Sequence, residues 1–103
     1  MTIIKELSEK ISDEITDARE YVKAAIDNRA EYPDLAKTLY TISEQEMTHM
    51  GMLHDAVTDI IRRYAQEKGE PPAPMKAVYD YLHKQQIEAA AEVKALQALY
   101  SGR

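Results

Sequence analysis

The stretch Gly69-Glu70-Pro71-Pro72-Ala73-Pro74 decides how this chain folds. A proline has no amide hydrogen to donate, and it pushes its predecessor toward extended backbone, so no helix runs through this segment. Gly69, just ahead of the prolines, is the residue type that closes a helix C-terminus. One other break lies upstream, Tyr32-Pro33-Asp34, where Pro33 suits the first turn of a new helix. The segments on either side read as helices over about residues 2–28, 33–68 and 74–100, with Thr2 as the first cap. Gly51 sits inside the second at a modest cost. Each helix spans about 40–50 Å at 1.5 Å per residue, a length that belongs to bundles. The expected fold class is therefore all-α: one domain, residues 1–103, with an antiparallel helical hairpin followed by a third long helix.

Composition narrows the function. An apolar fraction of 45% in 103 residues supports a single small core, and association would help so short a chain. Thirteen basic against eighteen acidic side chains leave a net charge of −5. That balance argues against nucleic acid and anionic membranes as partners and suits cations. With no cysteine there is no disulfide, no thiolate metal site and no thiol nucleophile, and a reducing compartment is permitted. No basic segment leads into an apolar run, and no run approaches the length of a membrane span. The expectation is a cytoplasmic protein without signal peptide or transmembrane helix.

The apolar stripes show where the helices meet. Helix 1 offers Ile4, Leu7, Ile11, Glu14, Ala18, Tyr21 and Ala25, in alternating steps of three and four. Helix 2 offers Leu39, Ile42, Glu46, His49, Leu53, Ala56 and Ile60, with a second stripe beside it through Met47, Met50, His54, Val57, Ile61 and Tyr64. Its wide apolar arc predicts a central position with neighbours on two sides. Helix 3 offers Met75, Tyr79, Leu82, Gln86, Ala89, Val93, Leu96 and Tyr100.

Glu14, Glu46 and His49 interrupt these stripes. Burying an ionised carboxylate alone is very unfavourable, so ionisable groups in adjacent seams need a partner, and a divalent cation is a natural one. Glu46-Met47-Thr48-His49 places a carboxylate and an imidazole one turn apart on one helix face. The turn centre lies near residues 31–32, so Glu14 is about 17 residues before it and Glu46 and His49 about 15 and 17 after it. In an antiparallel hairpin the three come level within about one helical turn. Tyr21 follows Glu14 two turns along the same face.

Glu14-x6-Tyr21 on one helix and Glu46-x-x-His49 on the next resemble half of a ferritin-like di-iron carboxylate site, over residues 3 to about 64. Rubrerythrins and ferritins carry related motifs across four helices. In such sites a Glu comes from each of two helices and a Glu-x-x-His from each of two others. The resemblance implies that Glu14 is a terminal or bridging carboxylate, Glu46 a bridging carboxylate and His49 a terminal imidazole. These three would be both metal ligands and catalytic residues, and Tyr21 would donate a hydrogen bond to a ligand carboxylate.

Helix 3 departs from the pattern: its Asp80-x-x-His83 lies off the seam, and no fourth helix follows. Two hairpins related by a two-fold axis would complete the bundle, with two irons per homodimer interface. Encapsulated ferritin-like proteins are similar in this economy, and this chain differs from them in its long third helix. The resemblance implies ferroxidase activity on Fe(II), with O2 or peroxide as oxidant, in iron handling or oxidative-stress protection. The ligand set also suits Mn or Zn.

Other residues have plainer readings. His54 is expected to make a polar contact toward helix 3, Met47, Met50 and Met52 to fill core, and Asp17 to sit at a solvated seam edge. The alternative function, from another class, is a metal-free helical interaction module in which Glu14, Glu46 and His49 form a hydrogen-bonded cluster that sets register.

Overall fold

A computed structural model describes residues 2–102 and contains three α-helices: α1 (Thr2–Asn28), α2 (Pro33–Lys68) and α3 (Ala73–Ser101). Pro33 opens α2 as expected, and the amide of Gly69 closes it by donating to the Ala65 carbonyl at 3.1 Å. Gly69 has φ 79°, a conformation that costs glycine little. The α1–α2 turn is tight: Tyr32 N–H donates to the Asn28 carbonyl at 2.8 Å, and Ala36 N–H to the Tyr32 carbonyl at 2.9 Å. None of the described helices is long and apolar enough to cross a membrane.

The helices run up, down and up. Ser43 on α2 donates to the Ala18 carbonyl on α1, and His49 on α2 faces Glu14, so α1 and α2 are antiparallel. Gln86 on α3 reaches Ser8 and Ser12 at one end of α1, while Arg29 past its other end donates to the Tyr100 carbonyl, so α3 runs parallel to α1.

The core is a narrow column. Ile11, Ile15, Ala18 and Val93 are buried together, with Met47, Met50, Leu53, Val57, Ala89 and Ala90 packed around them. The α1 stripe divides into two tracks. Ile4, Ile11, Ala18 and Ala25 are buried, joined by Ile15 and Val22; Leu7, Glu14 and Tyr21 lie on the flank, half-buried or exposed. The same split holds on α2. Ala36 and Ser43 face the core, whereas Leu35, Leu39, Ile42, Glu46, His49 and Leu53 form a track that remains partly open to solvent.

The expectation of a central α2 is corrected here. It is α1 that packs closely on both other helices, while α2 and α3 approach sparsely. The reason is side-chain size. Ala18 and the β-branched Ile11 and Ile15 of α1 meet Ala89, Ala90 and Val93 of α3, so those backbones come near each other. The α2–α3 gap is instead bridged by long side chains: Tyr40 stacked on Tyr100 with centroids 4.6 Å apart, Gln97 donating to the Ser43 hydroxyl at 3.0 Å, and His54 on His83.

Candidate metal centre

Glu14, Glu46 and His49 come together on the open flank of the α1–α2 hairpin. Equal counts of residues on either side of the turn bring Glu14 level with the Glu46–His49 turn of α2. Each of the three offers a ligand atom, and these atoms all lie within 4.8 Å of one another. His49 Nδ1 stands 3.5 Å from Glu14 Oε2, with the histidine side chain 55% exposed and the glutamate 25%.

The electrostatics of the triad are unbalanced. Glu14 Oε2 is shielded from solvent and accepts no hydrogen bond. At 3.5 Å the His49 contact is longer than a hydrogen bond of ordinary strength. A carboxylate oxygen withdrawn from water and left without a donor is costly, and such orphaned atoms mark places where an ion or a water belongs. Glu46 is displaced as well. Its carboxyl is raised from 4.5 to about 7, chiefly by a side-chain hydrogen bond with Glu14, then by burial and by the negative charges of Glu14 and Asp17, with His49 acting in the opposite direction. Two carboxylates this close keep a proton between them near neutral pH, which partly compensates the missing positive charge. Three hard or borderline donors converging on one point, one of them an unsatisfied oxygen, fit a divalent cation of the Fe, Mn or Zn type.

The triad is less enclosed than the seam reading implied. Glu14 and Glu46 are half-buried and His49 is exposed, because they occupy the flanking tracks and not the buried ones. Beside them Lys10, Asp13, Met52 and Leu53 line a shallow cleft. Tyr21 is 37% exposed on the same α1 track, two turns along from Glu14. Asp17 is exposed and acts on Glu46 through its charge.

His54 contacts α3 as its position suggested, and its partner is His83, Nε2 to Nε2 at 3.0 Å. In the sequence His83 stands in Asp80-x-x-His83, off the α3 seam, so the stripe pattern does not mark it as the partner of His54. Gln86, the amide within that seam, donates to the Ser8 carbonyl and hydroxyl, both at 3.1 Å, and to the Ser12 hydroxyl at 3.3 Å, so it serves helix docking. No family model, no curated protein and no solved structure matches this chain, and the likeness to ferritin-like half-sites is carried by Glu14, Tyr21, Glu46 and His49 alone.

Proposed function

We propose that the chain binds iron at a di-metal carboxylate site formed at a two-fold homodimer interface, and that it acts there as a ferroxidase. The observation that carries this reading is the convergence of Glu14, Glu46 and His49 around an oxygen with no hydrogen-bond donor. One chain holds three ligands, too few for two metal ions; a two-fold axis through the open flank supplies four carboxylates and two imidazoles without new sequence. The apolar track on the same flank, the exposed Leu35 and the half-buried Leu39, Ile42 and Leu53, is the surface a second hairpin would cover.

In this reading Glu14 and Glu46 would neutralise the charge of the ferrous substrate, and His49 would supply a nitrogen ligand. Glu46 gives up its proton as the ion enters. By the ferritin-like resemblance, Tyr21 would donate to a ligand carboxylate. Two Fe(II) ions then each lose one electron to dioxygen, which takes two protons and leaves as hydrogen peroxide. Mn or Zn would occupy the same donors without that oxidation. The proton held between Glu14 and Glu46 favours a second reading, a metal-free module in which the cluster sets helix register. Metal analysis of the purified protein separates them: about one ion per chain is expected for the first reading and none for the second. Aerobic Fe(II) oxidation is expected to run faster with the protein than in buffer, and Glu46→Ala and His49→Ala to abolish the acceleration. Rates equal to the buffer blank in iron-loaded protein would reduce the centre to a non-redox metal site.

A further inference from the structure

About one and a half helical turns beyond His49, α2 carries another ligand-type side chain that the proposed activity leaves unused. His54 meets His83 of α3 with their Nε2 atoms 3.0 Å apart. The two rings also lie face to face, with centroids 5.0 Å apart and planes inclined by 27°. Two imidazole nitrogens this close are stable only with a proton or a metal ion shared between their lone pairs. With metal–nitrogen bonds of about 2.0–2.1 Å, two imidazoles on one ion stand about 2.9 Å apart at a right angle and about 3.3 Å apart at the tetrahedral angle. The observed separation lies between these values. Asp80, one turn before His83, lines with both histidines a cavity of about 130 Å³ between the helices. Asp55 lines with them a second cleft, which Lys94 also borders. Asp80 therefore brings negative charge near the pair and lowers the cost of a cation there, while Asp55 and Lys94 offset each other in the second cleft.

We infer that His54 and His83 form a second metal site, separate from the Glu14–Glu46–His49 triad, that takes a borderline divalent ion such as Zn²⁺ or Cu²⁺. An imidazole pair selects these ions, whereas a carboxylate-rich triad suits iron or manganese. Water fills the remaining positions, and Asp80 contributes negative charge across the cavity. The site sits where α2 and α3 approach sparsely, so an ion held by one histidine from each would clasp the third helix to the hairpin.

The test uses the full chain carrying Glu46→Ala and His49→Ala, which removes the first site and keeps the two failures distinguishable. Zn²⁺ titrated into this protein by calorimetry is expected to bind about one ion per chain and to raise its melting temperature. Adding His83→Gln or His54→Gln, each of which retains a polar side chain, is expected to weaken binding at least tenfold and to remove the shift. Substoichiometric Cu²⁺ added to the unsubstituted protein should broaden the ring proton signals of both His54 and His83, a readout that needs no variant. Zn²⁺ affinity unchanged by both Gln substitutions, no Zn²⁺ binding at all, or Cu²⁺ broadening that spares the pair would each overturn the inference.

Discussion

Burial and neighbouring carboxylates displace the chemistry of Glu46, and its proton makes the site testable by pH. The carboxyl titrates at 4.5 in its ordinary state and at about 7 in the folded chain. The folded protein therefore holds this proton more tightly than the unfolded one. The group contributes stability that is full below pH 4.5 and is lost as pH rises through about 7. Metal-free protein should accordingly lose denaturation midpoint across that window, and Glu46→Gln, which cannot ionise, should flatten the slope; matching slopes in both proteins would show that Glu46 does not carry it. Metal binding has the opposite sign, because a ligand carboxylate must be deprotonated. Affinity should rise through pH 7 with proton release, measurable by calorimetry in two buffers of different ionisation enthalpy. A second substitution separates a metal ligand from a structural anchor. If the triad serves a cation, Glu46→Leu relieves like charges held close and raises the melting temperature of the metal-free protein, while cancelling the gain that metal confers on the parent. If Glu46 anchors a satisfied network, the same change lowers stability even without metal.

At the scale of the helix, two-track packing explains why the site is accessible. A step of seven residues drifts only about 20° around a helix, so positions 4, 11, 18 and 25 keep to one side of α1 and 7, 14 and 21 to the adjacent side. The first set carries the core and the second, which includes Glu14, stays partly open to solvent. Ser43 shows how α2 is held in register with α1. It is fully buried, donates to the Ala18 carbonyl at 2.7 Å and accepts from Gln97 at 3.0 Å, tying all three helices at one level. Ser43→Ala strands the Gln97 amide and is expected to cost about 1–3 kcal/mol, read from urea unfolding. A loss near zero would mean that water replaces the hydroxyl at no cost. The wide apolar arc of α2 was legible in the sequence, but which neighbour it touches was not. That choice follows from side-chain volume at facing positions: alanine and valine draw α3 toward α1, and Tyr40, Tyr100, His54 and His83 hold it away from α2.

The whole molecule is a rod of 55 × 21 × 18 Å. Its radius of gyration of 16.4 Å exceeds the roughly 13 Å of a compact chain of this length, so much surface is exposed for little core. Eight apolar residues are buried among those described, while Leu35 further along the same α2 track and Met52 beside the triad remain 48% and 66% exposed. Such a molecule has much to gain from association through its open flank. Light scattering is expected to give the mass of two chains or a multiple of two, with metal strengthening the assembly because ligand binding stabilises the associated state. Leu35→Lys, at a position already exposed in the monomer, should shift the mass toward one chain and lower metal occupancy together. A monomer that keeps its metal would sink the shared-site reading.

The breaks at Tyr32–Pro33 and Gly69–Pro74 decided the number, length and order of the helices within the sequence itself, because proline and glycine act on the backbone at their own positions. The levelling of Glu14 with Glu46 and His49 was also legible there, since residue counts on either side of a tight turn translate directly into height along a hairpin. Three things needed the tertiary structure: that α1 and not α2 lies closest to both neighbours, that the triad occupies a half-open flank, and that His83 is the partner of His54. Each depends on the rotation of one helix about its axis relative to another. That rotation is set by the summed volumes of facing side chains, a property of pairs of residues distant in sequence, which no single stripe contains.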